Sequence, residues 1–382
     1  MKSKNFFLLS LCYLILLILL IIYSYTQIDL NLTLSANVFY QFFQQKLIYF
    51  GYYQRNFSAT AYLLILAILY VFYLLVLKKA ETGKVSLKYI KILIIFSSVL
   101  ILAYPAFSHD FFNYMFDARI VTKYHLSPYF FKALDFPNDS WIRFMHWTHR
   151  YYPYGPGWLL ITLFPSFIGF GKFVFTLVLF KLLFAVCYLI NCRMIYSLVS
   201  SIDFKRAKTA LVFYALNPLI LIETLISPHN EVMMLTFLLG SLWLLKKQKN
   251  IWSIIFLIMS ISIKYLSVVF LPLYVLIKTN FEKLIQLGFY LWLIALIPVV
   301  LTREIYVWYF IPIIGLAALL VRTRHIKIIA LSISASTLVR YWSYLLNGDY
   351  GTQTIYLQNL AMVCLFVSTG ILGIILWAKN QY

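Results

Sequence analysis

Ser108-His109-Asp110-Phe111-Phe112-Asn113-Tyr114 is a polar segment set where a long apolar run ends, in a chain that nearly excludes carboxylates. Hydrophobic residues make up 63% of the 382 and charged residues 12%, so an acid retained beside such a run is a candidate for chemistry rather than solubility. Asp110 is the first such residue, and a carboxylate there can take a proton from a reacting hydroxyl. It also stands at the start of a stretch with helical spacing. A helix N-cap is therefore the alternative role.

A second polar group comprises Glu223 and then Ser227-Pro228-His229-Asn230-Glu231, just before another apolar run. Two carboxylates, an imidazole and an amide, broken by a proline, have the make-up of a pocket floor; the alternative is a polar hairpin in which Asn230 caps the next helix. Two cations interrupt later apolar stretches: Lys264 in Ser260-Ile261-Ser262-Ile263-Lys264-Tyr265, and Arg303 beside Glu304. A cation at membrane depth pairs with an anion or lines a polar cavity, because bare burial costs on the order of several kcal/mol. Either suits a phosphate, and a structural pair with Glu223 or Glu304 is the other reading. Trp308 and the surplus of 31 Tyr, 33 Phe and 9 Trp supply ring platforms, although Tyr and Trp favour the interface of any membrane protein. Lys181, inside an apolar run, has no rationale in the sequence.

The elements that must position these residues are membrane helices. Mean hydropathy of +0.85 exceeds what one soluble core can hide. Apolar runs at about 6–26, 58–77, 90–107, 173–199, 208–226, 231–245, 283–301, 328–345 and 353–377 approach or reach the length of a crossing, and shorter runs at about 251–263, 266–278 and 309–321 complete the set. The expected fold is an all-α integral membrane protein of about 12 transmembrane helices (roughly 11–13), residues 1–382 forming one polytopic domain. The net charge of +20 sits in short connections, where it sets orientation rather than binding nucleic acid. Lys78 to Lys91, Lys205 to Lys208, Lys246 to Lys249, Lys278/Lys283, Arg322 to Lys327 and Lys379 can share the cytoplasmic side, with both termini there. The threading holds if the short run 158–171 is re-entrant or interfacial.

That threading leaves residues 108–157 as one large non-cytoplasmic loop, too aromatic to be disordered. Within it Phe112, Met115, Phe116 and Ile120 recur at helical spacing, with Asp110, Asn113, Asp117 and Lys123 between them, as in an interfacial helix. Cys12, Cys187, Cys192 and Cys364 all lie in apolar runs without a CxxC spacing, so neither a disulfide framework nor a thiolate metal site is indicated.

Several of these residues occur in an order that carries a family likeness: Asp110-x-x-x-Tyr114, Ala118-Arg119, Ser127-Pro128-Tyr129, Tyr151-Tyr152-Pro153-Tyr154-Gly155-Pro156, Phe170-Gly171-Lys172, Asn217-Pro218, His229-Asn230-Glu231, Ile263-Lys264-Tyr265 and Trp308-Tyr309. The series, from about residue 100 to 310, resembles the polytopic GT-C glycosyltransferases that use polyprenyl-phosphate sugars, particularly the bacterial alpha-1,6-mannosyltransferases and the glycosylphosphatidylinositol mannosyltransferase. The resemblance implies transfer of a hexose, often mannose, from a lipid-phosphate donor to a glycan or glycolipid acceptor on the non-cytoplasmic face of the plasma (inner) membrane, with inversion. It also implies a catalytic acid in an outer loop near the first spans, and Asp110 matches. Ser108 stands where the second member of an acidic pair occurs in the glycosylphosphatidylinositol enzyme. No metal ligands are therefore assigned, and a divalent cation is an option rather than a requirement.

A carboxylate used as general base typically contributes about 10²–10⁴-fold to such a transfer. Asp110 is assigned that role; Lys264, Arg303 and His229 are assigned to the donor phosphate. His109, Tyr114, Asp117, Arg119, Tyr154, Glu223, Asn230, Glu231 and Trp308 are assigned to sugar and acceptor. A transporter or flippase of a lipid-linked saccharide is the alternative, but the paired interrupted halves common in transporters are not seen. A lipid-linked polymer ligase is a third reading.

Overall fold

The computed structural model describes residues 3–276, 280–302 and 304–379; Arg303 lies outside the described residues. Helices make up the structure, with no strand among the described residues. α1 (Ser3–Ser24) is followed by α2 (Val38–Ile48), which Asn37 opens by accepting the N–H groups of Phe39 and Tyr40. Next come α3 (Arg55–Glu81), α4 (Leu87–Ser98) and α5 (Asp110–Tyr124), the last ended by His125 in a left-handed conformation, φ 56°. α6 (Pro156–Ile168) begins with proline, tolerated there because the first N–H has no intrahelical partner. α7 (Phe173–Ser200), α8 (Ala207–Ala215) and α9 (Pro218–Leu221) lead into a π-helical turn ending at Ile226. After α10 (Glu231–Lys246), α11 (Asn250–Ile263) and α12 (Phe270–Leu276) the chain continues through α13 (Phe281–Thr302), α14 (Ile311–Leu319), α15 (Arg324–Leu338), α16 (Arg340–Asn347) and α17 (Thr352–Lys379).

Among the described residues, five helices are long and apolar enough to cross a membrane: Phe6–Gln27, Arg55–Glu81, Phe173–Ser200, Phe281–Thr302 and Thr352–Ile375. The pair Ala207–Ala215 and Pro218–Ile226, bent by 52°, makes a sixth if taken as one span. Asn217-Pro218 causes that bend: the residue before proline is pushed out of the helical region, and the Asn217 side chain then caps the Leu219 N–H at 3.0 Å. Other runs read from the sequence are shorter or interrupted. The run at 90–107 leaves its helical turns at Leu102, and the run at 328–345 divides at Val339.

The core lies around α8, α9, α10 and α14, which are buried on nearly all sides, as helices apolar all round must be. α3 and α15 lie antiparallel: Tyr62 Oη donates to Leu338 O at 2.8 Å, Tyr70 and Ser334 share a 2.7 Å hydrogen bond, and Lys327 pairs with Glu81. Lys208 Nζ donates to Val85 O at 3.0 Å. The basic connections at 78–91, 205–208 and 322–327 therefore meet at one end of the bundle.

α5 differs from its expected form. Its whole length from Asp110 to Ile120 is buried, polar stripe included. Instead of presenting one face to water, it turns Asp110, Asn113 and Asp117 toward other parts of the chain. α6 runs beside it in the same direction: Tyr114 packs edge-on against Trp158 at 5.1 Å near the starts, and Thr122 and Ser166 share a 2.8 Å hydrogen bond near the ends. α6, at 13 residues, is apolar but shorter than the helices able to cross a membrane.

Candidate active site

Asp110 is the first residue of α5, but its carboxylate is not spent on capping. The cap position is His109, which makes no side-chain capping bond. Asp110 Oδ2 accepts a hydrogen bond from Tyr154 Oη at 3.1 Å, and Oδ1 lies 3.7 Å from the Arg150 guanidinium. Burial raises the Asp110 carboxyl above its ordinary value, against the opposing pull of Arg150, Tyr154 and Lys264. Two turns further along, burial pushes Asp117 up to about 8; Arg150 lowers it and the Asp110 charge raises it. Two carboxyls on one helix are thus held in different environments, the usual basis for dividing proton-handling roles. A guanidinium and a hydroxyl directly on Asp110 do not fit a divalent cation at that carboxylate, since the guanidinium repels one.

Lys264 comes to the same place from the end of α11. Its Nζ donates to Glu231 Oε1 and lies over the Tyr309 ring at 5.1 Å. The approach depends on two glycines: a Cβ on Gly155 would sit 2.0 Å from Ser262 O, and one on Gly157 2.1 Å from Ser262 Oγ. With no side chain at Gly155 or Gly157, the Tyr154-Gly155-Pro156-Gly157 stretch docks directly on the α11 terminus, where Gly155 N–H donates to Ile263 O at 3.3 Å. Tyr154 and Lys264 are brought side by side in consequence.

The stretch from Glu223 to Glu231 forms the adjoining wall. His229 stacks on Trp308 at 3.9 Å, and Trp308 on Tyr306 at 4.6 Å, giving a column of three rings. Glu223 Oε1 accepts from Tyr341 Oη at 2.8 Å, while Oε2 lies 3.0 Å from His229 Nδ1 without hydrogen-bond alignment. Asn230 precedes α10, yet its side chain makes no cap, and both of its polar atoms lack partners. Among the described residues, seven of the seventeen buried side-chain polar atoms without a hydrogen-bond partner lie between Glu223 and Glu231. Such atoms are costly, and their concentration marks a place built to meet polar groups from outside the chain.

Two contacts hold this wall in register. Phe107 N–H donates to Ser227 Oγ at 2.9 Å, fastening the lead-in of α5 to it. Lys181, unexplained by the sequence, reaches from α7 to donate to the carbonyls of Leu225 (2.5 Å) and Ile226 (2.7 Å), which the π-helical turn leaves free.

The structure therefore gathers Asp110, Tyr114, Asp117, Tyr154, Glu223, His229, Asn230, Glu231, Lys264 and Trp308 into one region. Tyr114 contributes a ring against Tyr154 at 5.2 Å and a buried hydroxyl without a partner. Arg119 is placed elsewhere: its Nε pairs with Asp139 at 2.9 Å, its guanidinium lies over Trp141 at 4.0 Å, and it lines a separate cleft of about 350 Å³ with Lys123, Ser166 and Phe170. Asp139 is held below its ordinary range: burial opposes this, but Arg119, Lys123 and Tyr124 prevail. His109 stacks on His146 at 3.5 Å. Arg150, Tyr306 and Tyr341 were missed by sequence reasoning. For Arg150, its place directly before the Tyr151-to-Pro156 motif was the available signal; for Tyr341 there was none.

A family model described as "Alpha-(1->6)-mannopyranosyltransferase, N-terminal domain" matches residues 32–280. A curated protein of Mycobacterium tuberculosis named Alpha-(1->6)-mannopyranosyltransferase A is 27% identical over 184 residues, which is 47% of this chain and 34% of that protein. The match thus spans about a third of the relative's length. No solved structure matches the chain. The matched residues run from before α2 to beyond Lys264, well over half of the sequence, and on that extent the chain belongs to the family of the alpha-(1->6)-mannopyranosyltransferase N-terminal domain.

Proposed function

We propose that the protein is a membrane mannosyltransferase that moves a hexose from a polyprenyl-phosphate donor to a glycan or glycolipid acceptor on the non-cytoplasmic face. Family membership supports the reaction class. One observation carries the choice of site: a buried carboxylate, Asp110, is held by Tyr154 and Arg150 rather than used as a cap, beside a wall of unpartnered polar atoms.

In the reaction the acceptor hydroxyl oxygen attacks the anomeric carbon from the face opposite the phosphate. Its proton passes to Asp110 as the new C–O bond forms. The bond from the anomeric carbon to the phosphate oxygen breaks, the electron pair leaving with the polyprenyl phosphate, and configuration inverts. Lys264 has further N–H donors besides the one given to Glu231, and its side chain is 27% exposed, so it can meet the phosphate together with His229 and Arg303. Glu223, Asn230, Glu231 and the Trp308 ring hold sugar hydroxyls. The finer architecture proposed is about 12 crossings with short and broken helices included, both termini cytoplasmic, in the plasma membrane.

The test is transfer of radiolabelled mannose from synthetic polyprenyl-phosphate mannose in reconstituted vesicles, comparing wild type with Asp110→Asn. Label on the acceptor, lost in the variant, is expected. Near-native transfer by a folded Asp110→Asn protein would overturn the assignment, and intact donor crossing the bilayer without transfer would make the protein a transporter.

A further inference from the structure

We infer that Asp29, His109 and His146 form a binding site for a zinc-class divalent transition-metal ion, separate from the Asp110 carboxylate and independent of the proposed transfer. The three residues come from distant stretches: the connector after α1, the residue before α5, and the loop between α5 and α6. Their ligand-type atoms nevertheless lie within 4.8 Å of one another.

The spacing suits one ion. With metal bonds of about 2.0–2.1 Å, two ligand atoms on a tetrahedral centre stand roughly 3.3 Å apart. His146 Nε2 and Asp29 Oδ2 are 3.1 Å apart, close to that separation before any ion enters. The His109 and His146 rings stack face to face, centroids 3.5 Å apart and 16° from parallel, and the ligand-type nitrogen of His109 lies within 4.8 Å of the other two atoms. The His109 ring forms no hydrogen bond among the described residues.

Asp29 is also braced as a ligand should be. Its Oδ1 accepts the Asn31 N–H at 2.8 Å, which leaves Oδ2 to face the histidines, and its own N–H donates to Tyr104 Oη at 3.2 Å. Such outer contacts orient metal-binding carboxylates. Two imidazoles and one carboxylate are a donor set that zinc takes and that iron(II) takes as well; magnesium and calcium favour sites made of oxygens. His146 is 46% exposed, which gives an ion a way in. Bound there, the ion would tie the α1–α2 connector to the residue that precedes Asp110.

The experiment uses the full chain in lipid nanodiscs, stripped with a chelator, and titrates zinc against a fluorescent competitor with magnesium as control. Wild type should bind one equivalent of zinc and gain thermal stability, with no response to magnesium. Asp29→Asn and His146→Gln should each weaken zinc binding at least tenfold and abolish the thermal shift. Cobalt(II) should give wild type the visible d–d absorption of a tetrahedral ion, a readout that needs no variant to fold. Wild type that binds no more zinc than the Asp29→Asn, His146→Gln double variant, or that gives no cobalt spectrum, would show a metal-free clasp of two histidines and a carboxylate and overturn the proposal.

Discussion

Tyr154 and Asp110, forty-four residues apart, meet through a 3.1 Å hydrogen bond from hydroxyl to carboxylate, and Arg150 approaches the other carboxylate oxygen at 3.7 Å. The carboxylate is oriented before any substrate arrives. Asp110→Asn should lower transfer at least about 10²-fold without loss of fold, and Tyr154→Phe about tenfold. Initial rates in vesicles, set beside melting temperatures, check both. Equal rates for wild type and Tyr154→Phe would mean that the hydrogen bond is structural.

Lys264 and Glu231 separate binding from stability. Lys264→Met leaves Glu231, 2% exposed, without its partner, which should cost about 1–3 kcal/mol and raise the donor KM tenfold or more. Adding Glu231→Gln should recover the melting temperature but not the donor KM. If the double variant regains donor affinity as well, Lys264 does not contact the phosphate.

Asp117 gives a pH test. Its carboxyl, at about 8 in the folded chain against an ordinary 3.8, binds its proton more tightly folded than unfolded. Stability from this group is therefore full below about pH 4 and is lost as pH rises toward about 8. Arg150, Asp110, Tyr152 and Tyr154 are the charged and titratable neighbours that share its field. Asp117→Asn stays neutral, so its melting temperature should fall less than that of wild type between about pH 5 and 8.5. Parallel curves would contradict the assignment.

Lys181→Met should destabilise the protein by about 1–3 kcal/mol, because it strips the donor from two buried carbonyls. Since those carbonyls lie just before Ser227, in the stretch that carries His229, transfer should drop further than the fraction unfolded explains. Unchanged specific activity in the folded fraction would confine Lys181 to a packing role.

Helix content and the membrane class were legible in apolar run length, and Asp110, Glu231 and Lys264 stood out because charge is rare in this chain. The number of uninterrupted spans was not, because hydropathy does not register the break at Asn217-Pro218 or the one at Val339. α2 went unread: its exposed Val38, Phe39, Phe42 and Phe43 alternate with polar residues in too short a run to signal a crossing. The burial of α5 was also hidden, since a polar stripe looks the same whether it faces water or a wall of protein. Arg119 was assigned to sugar and acceptor through the Ala118-Arg119 motif, whereas the side chain turns to Asp139, a partner twenty residues on that no periodicity connects to it.

At the joint between Gly155, Gly157 and the end of α11, backbone closes on Ser262 with no room for a Cβ: Gly155 meets its carbonyl and Gly157 its side chain. Such a joint has little give and passes a displacement on instead of absorbing it. It also carries the Gly155 N–H to Ile263 O bond, one residue from both Tyr154 and Lys264, so the hydroxyl bonded to Asp110 and the cation bonded to Glu231 are anchored at the same close contact.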